Sequence, residues 1–141
     1  MKIKIPGGTG EFEIPDEWWR SAGMEDFVPR TAYYNTDLSA CSEILLVEEV
    51  EPPLREKCEF WFRNRETVIE VLEKIRSGEK LDPIEVWSRE KSNSKKFKVR
   101  DGFHRFYLSI AAGYSKLPVK INDFDLNEFL EKESRGKRRL L

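Results

Sequence analysis

Hydrophobic and charged residues alternate twice near the start of the chain. Lys2-Ile3-Lys4-Ile5 and Glu11-Phe12-Glu13-Ile14 flank Gly7-Gly8-Thr9-Gly10. A period of two marks a half-buried strand, so this segment is predicted to be a β-hairpin with lysines and glutamates facing each other across it. Pro15-Asp16-Glu17 has the proline and first-turn acids of a helix start. The short helix it opens carries Trp18 and Trp19 and is expected to end near Gly23. Pro29 to Ser42 is turn-rich, without a period, and is expected to be irregular. Ile44-Leu45-Leu46-Val47 reads as a buried strand, and Pro52-Pro53 closes it.

Beyond Trp61 and Phe62 the period changes. From about Arg65 to Arg76, Val68, Val71, Leu72 and Ile75 form the apolar stripe of a helix, with Gly78 as its stop. Pro83-Ile84-Glu85-Val86-Trp87 is the next predicted strand, and Glu90 to Lys95 is a polar turn. Phe97 and Val99 then alternate with Lys96, Lys98 and Arg100 in a strand that runs to Asp101. Phe106, Tyr107, Ile110 and Ala111 recur at helical spacing before Gly113, with Ala111 and Ala112 expected to let this helix approach the sheet closely. Leu117 to Ile121 returns as a strand, Leu126 to about Glu133 is a last helix, and Arg135-Gly136-Lys137-Arg138-Arg139 is a basic tail.

This order gives an α/β (α+β) fold: a small mixed sheet with helices, preceded by a β-hairpin and a short helix. The 141 residues suit one domain. It divides into an N-terminal extension (1–43), a core (44–122) and a C-terminal helix with its tail (123–141). Aromatic residues at 12% argue against wholesale disorder even though 36% of positions are charged. With 25 basic and 26 acidic residues the charge nearly balances, so contact with duplex DNA would need a local patch. No apolar run reaches membrane-spanning length, and the opening residues do not form a secretory h-region, so no membrane partner and a cytoplasmic location are expected. Cys41 and Cys58 read as free thiols.

Candidate chemistry concentrates in Asp101-Gly102-Phe103-His104-Arg105, between the strand and the helix. Backbone N–H groups and the positive end of the helix dipole favour an anion at a helix N-terminus. Gly102 removes the side chain that would hold a ligand off the backbone. Arg105 offers a planar fork to two phosphate oxygens, and His104 a further donor. Gly102, Phe103, His104 and Arg105 are therefore the candidate phosphate-binding residues. The bland alternative for His104 and Arg105 is helix capping or pairing with Asp101. Asp101 itself either holds magnesium or orients an attacking oxygen, or else caps the helix.

Four words stand in a fixed order: Leu81-Asp82-Pro83-Ile84-Glu85-Val86, Asp101-Gly102-Phe103-His104-Arg105, Ala111-Ala112-Gly113 and Leu117-Pro118-Val119. Together, over roughly Ile44 to Ile121, they resemble the ParB/sulfiredoxin superfamily, often labelled ParB-like nuclease domain. The resemblance implies a small α/β fold that binds a nucleotide (ATP, ADP or CTP, with Mg²⁺) through the Gly-x-x-Arg corner. Members include chromosome-partition CTPases, sulfiredoxins and a free-serine kinase. Sulfiredoxins carry their catalytic cysteine where this chain has Phe103, so sulfinic-acid chemistry is not expected. Partition proteins continue into DNA-binding and dimerisation domains for which the residues after the core are too few.

The Asp-Gly-x-His-Arg form is nearest to the kinase-like branch, in which an acid beside the cradle helps a hydroxyl attack phosphate. By the same resemblance, Glu48, Glu49 or Glu51 stands near the place of a second acid, with Glu51 the choice here and a solvated strand edge the alternative. Arg55 loosely matches a phosphate-contacting arginine, against a plain surface role, and Lys80 is a weaker match. Trp18, Trp19, Trp61, Phe62 and Trp87 either stack a base or fill the core. The basic tail either meets nucleic acid or is a solvated terminus.

Three functions follow. The first is a nucleoside triphosphatase or a kinase acting on a small hydroxyl substrate. The second is a non-catalytic module binding DNA or a protein. The nuclease label ranks last, because one histidine and no dense carboxylate cluster give poor support for two-metal cleavage.

Overall fold

The computed structural model describes residues 1–7, 10–53, 62–88 and 97–123. The expectations for Arg55, Cys58, Trp61, the polar turn, the last helix and the basic tail lie outside the described residues. Strands β1 (Lys2–Lys4) and β2 (Glu11–Glu13) pair antiparallel, and their register sets Lys2 opposite Glu13 and Lys4 opposite Glu11. Helix α1 (Asp16–Ser21) follows Pro15. It is fastened to the rest of the protein by Arg65, whose Nη2 donates to Glu17 Oε1 at 2.7 Å and to Ser21 Oγ at 3.1 Å. Trp18 and Trp19 are half-buried against the core, which Phe12 and Ile14 enter fully.

The main sheet is mixed and, among the described residues, five-stranded, in the order β3 (Glu43–Leu46), β7 (Lys116–Asp123), β5 (Ile84–Ser88), β6 (Phe97–Asp101), β4 (Val50–Glu51). The expected strand at Ile44–Val47 is β3 (Glu43–Leu46); Val47 instead opens a 3₁₀ turn that runs to Glu49. That turn feeds β4 (Val50–Glu51), a strand too short for the sequence pattern to announce. β4 pairs parallel with β6 (Phe97–Asp101), placing Glu51 opposite Lys98. β5 (Ile84–Ser88) lies antiparallel to β6 and parallel to β7 (Lys116–Asp123).

Helix α2 (Arg65–Ser77) starts at Asn64, whose side chain accepts from the Thr67 N–H at 3.2 Å, and stops at Gly78. Its buried residues are Val68, Leu72 and Ile75, three of the four in the expected stripe, and Val71 is half-buried. Helix α3 (Phe103–Ala112) differs from the expected amphipathic helix: Phe106 to Ile110 are buried in succession. A helix apolar all round belongs inside a domain, and α3 packs against α2 within one buried cluster that runs from Phe12 to Val119. Ala112 is buried and Ala111 half-buried. Among the described residues no helix is long and apolar enough to cross a membrane.

Candidate functional site

The β6–α3 corner is built on Gly102. Its φ of 124° is a conformation that L side chains rarely adopt, and a Cβ placed there would lie 3.1 and 3.2 Å from the Ile84 side chain. The position a Cβ would take at Gly102 is therefore filled by β5. This corrects the reading of Gly102 as a residue that clears the backbone for phosphate: its first duty is to let β6 turn into α3 against Ile84.

Asp101 is also corrected in one respect. The N-cap of α3 is Gly102, which has no side chain to make a capping bond, so Asp101 is not the N-cap residue. It ends β6 beside Glu85, 68% exposed, with Oδ2 3.6 Å from Arg105 Nη2. Arg105 does pair with Asp101 at that distance, but its closest contacts lie elsewhere. Its Nη1 donates to Asp82 O at 2.9 Å and to Pro83 O at 2.8 Å. Two carbonyls at the entry to β5 thus find donors on a helix that follows them by more than twenty residues, as partly buried backbone requires.

Tyr34 completes this brace. Its hydroxyl donates to the same Asp82 carbonyl at 2.7 Å, and Leu81 N–H donates to Asn35 O at 2.9 Å. The segment from Pro29 to Ser42 is irregular, as expected, yet it holds the Leu81-Asp82-Pro83 word in place. Burial pushes the Tyr34 phenol far above its usual range, with the Arg105 charge opposing. Below pH about 10 both the folded and the unfolded chain keep this proton. Above it the unfolded chain releases the proton first, so Tyr34 makes stability fall with rising pH, by up to about 1.4 kcal/mol per unit. Denaturation at several alkaline pH values should give a shallower slope for Tyr34→Phe, and an identical slope would contradict this burial.

Two hollows open on the corner. One, of about 310 Å³, is lined by Val71, Leu81, Asp82, His104 and Arg105 together with Asp101, Gly102 and Phe103. The other, of about 370 Å³, shares Asp101, Gly102 and Phe103 and adds Glu51, Lys98 and Arg100. Phe103 is half-buried between them, its ring 4.9 Å from that of Tyr107, and His104 lies against Phe62 with ring centres 5.7 Å apart. The Tyr107 hydroxyl donates to Pro53 O at 2.7 Å and so ties the end of β4 to α3. Burial raises the Tyr107 pKa to about 12.

The structure thus places Asp101, Gly102, Phe103, His104 and Arg105 together and brings Glu51 to the same hollow as Asp101. Glu48 and Glu49 lie in the preceding 3₁₀ turn, where Glu49 accepts from the Leu46 N–H at 3.1 Å.

No family model, curated protein or solved structure matches this chain. The site rests on its own geometry.

Sequence reasoning did not single out Lys98, Tyr34 or Asp82. Lys98 had a signal, since a lysine three residues before Asp101 on a strand remains near the strand end. Tyr34 and the Asp82 carbonyl had none, because their roles depend on a contact between distant segments. Among the described residues no three His, Cys, Asp or Glu side chains converge as a metal cage. Magnesium does not need one, since it commonly takes one or two carboxylates and completes its shell with phosphate oxygens and water. Asp101 and Glu51 line one hollow.

Proposed function

We propose that this chain is a nucleotide-binding protein of the ParB/sulfiredoxin type that holds phosphate at the N-terminus of α3. It hydrolyses a nucleoside triphosphate or passes a phosphoryl group to a small hydroxyl substrate. The observation that carries this reading is that both hollows share Asp101, Gly102 and Phe103 at the N-terminus of α3. Phosphate suits that end through the backbone N–H groups and helix dipole. Lys98 and Arg100 supply positive charge in one hollow and Arg105 in the other. Because Arg105 Nη1 is engaged with carbonyls, its share in anion binding comes from its charge and remaining N–H groups rather than from a fork waiting empty.

Asp101 and Glu51 would hold magnesium against the phosphates, and bound magnesium would neutralise charge during transfer. Asp101 is placed to accept a proton from an attacking hydroxyl.

Calorimetry with ATP, ADP, CTP and GTP, each with and without magnesium, tests the proposal. Saturable binding of at least one nucleotide is expected. Asp101→Asn should retain binding without magnesium, because it removes a negative charge beside phosphate, while turnover falls by roughly a hundred-fold. Absence of binding by the unaltered protein would overturn the nucleotide reading in favour of a module that binds DNA or a protein without catalysis.

A further inference from the structure

The largest hollow among those described lies away from this corner. It is an open space of about 970 Å³ between the 23–38 segment, the C-terminal end of α2 and Tyr114, just past α3. Helix α3 has ten residues, so about 15 Å of helix separates its two ends. The hollow shares no lining residue with the two at the corner.

Three features give it the character of a binding site. First, Val28 and Leu38, which line it, stay 74% and 61% exposed, although Phe27 and Tyr114 beside them are half-buried or buried with their rings in edge contact. Second, Arg30 and Arg76 both line it, and among the described residues neither forms an ion pair. Arg76 is held there by its Nε, which donates to Ala22 O at 3.0 Å, and by Gly23, where a Cβ would come within 2.9 Å of that nitrogen. Third, Thr36 also lines the hollow. It is only 5% exposed, and its hydroxyl is buried without a hydrogen-bond partner. A buried hydroxyl left unmatched costs about 1–3 kcal/mol. A polar group of a ligand entering the hollow beside Thr36 would supply the partner.

We propose that this hollow binds a small planar acid: an apolar aromatic body carrying one carboxylate and one further hydrogen-bonding group. The charges favour a single negative charge. Arg30 and Arg76 face one lining carboxylate, Asp26, which leaves a net positive charge of one. The C-terminal end of α2, at Ser77 and Gly78, contributes the negative end of its dipole and disfavours a phosphate dianion. The aromatic body covers Val28 and Leu38, the arginines take the carboxylate, and the further group meets Thr36. A volume near the upper end of the range for small-molecule sites leaves room for such a ligand.

The test uses 6-hydroxy-2-naphthoate as probe. Comparison ligands are 2-naphthoate, which lacks the hydroxyl, and naphthalene-2,6-diol, which lacks the charge. Backbone amide NMR of the full chain locates binding. Saturable shifts at residues 27–38, 76–78 and 114 are expected, with residues 101–105 unmoved.

The diol should bind about ten-fold more weakly than the probe, and Arg30→Ala should weaken the probe to a similar degree. Arg30 is exposed and among the described residues makes no hydrogen bond or ion pair, so this variant should fold as the parent does. Thr36→Val should reduce probe affinity to that of 2-naphthoate while leaving 2-naphthoate affinity unchanged, and it should raise the melting temperature of the free protein. Failure to saturate at millimolar probe, shifts centred on 101–105, or equal affinities for the parent and Arg30→Ala would each overturn the proposal. A Thr36→Val protein that discriminates the two naphthoates as the parent does would remove Thr36 and the further hydrogen-bonding group from it.

Discussion

Gly102→Val is expected to leave the protein largely unfolded at ambient temperature, and Gly102→Ala to destabilise it severely. Two costs add at this position. A side-chain-bearing residue must adopt φ near 124°, which costs about 1–3 kcal/mol. Its Cβ must also enter a space where Ile84 Cγ2 and Cγ1 stand 3.1 and 3.2 Å away and the Ile84 Cα 3.4 Å. Overpacking a filled core costs about another 1–3 kcal/mol. Ile84 is fully buried in β5 and pairs with Val119 of β7, so it has little room to yield.

The sum for Gly102→Ala, roughly 2–6 kcal/mol, reaches at its upper end the stability of a marginal domain, and the two further methyl groups of valine add to it. Urea denaturation of Gly102→Ala measures it directly. A loss below about 0.5 kcal/mol would mean that the corner does not hold this conformation. The result also bears on function, because any loss of nucleotide binding in a Gly102 variant must first be separated from loss of fold.

That caution shows where the sequence was informative and where it was not. Local patterns carried the elements: the 3.6 spacing of Val68, Leu72 and Ile75 gave α2, and the alternation around Phe97 and Val99 gave β6. The adjacency of Asp101 to Arg105 gave the corner, because five consecutive residues need no tertiary information to be neighbours. What remained hidden was set by distant partners. β4 has two residues and exists through its pairing with β6, so nothing within Val50-Glu51 announces it. A glycine in a motif has two readings, one facing a ligand and one facing a neighbouring strand, and only the position of Ile84 chooses between them. The segment from Pro29 to Ser42 offers only two buried residues, Tyr34 and Thr36, too few to set a period, and the Tyr34 hydroxyl is held by the distant Asp82 carbonyl.

Arg105 is the sharpest instance, and the second large effect is expected there. An arginine two residues into a helix after a glycine reads as an anion clamp, but here its Nη1 joins α3 to the carbonyls of Asp82 and Pro83. Arg105→Ala should therefore lower stability even in the absence of any ligand. Hydrogen bonds from a charged donor are each worth about 1.5–3 kcal/mol, and a carbonyl left without a donor loses its compensation for burial. Asp82 O retains the Tyr34 hydroxyl, whereas among the described residues no second side chain donates to Pro83 O, so the loss should fall near the middle of a range of about 2–4 kcal/mol.

Arg105→Lys separates the brace from the charge. An ammonium keeps the positive charge at the corner but cannot reproduce the fixed geometry of the guanidinium. Its melting temperature should lie between those of the parent and Arg105→Ala. If Arg105 also contributes charge to phosphate binding, Arg105→Lys should retain more nucleotide affinity than Arg105→Ala, for which a fall of about ten- to a hundred-fold is expected. Unchanged stability in Arg105→Ala would dismiss the brace. A stability loss with unaltered nucleotide affinity would confine Arg105 to the brace and leave phosphate binding to Lys98, Arg100 and the backbone of α3.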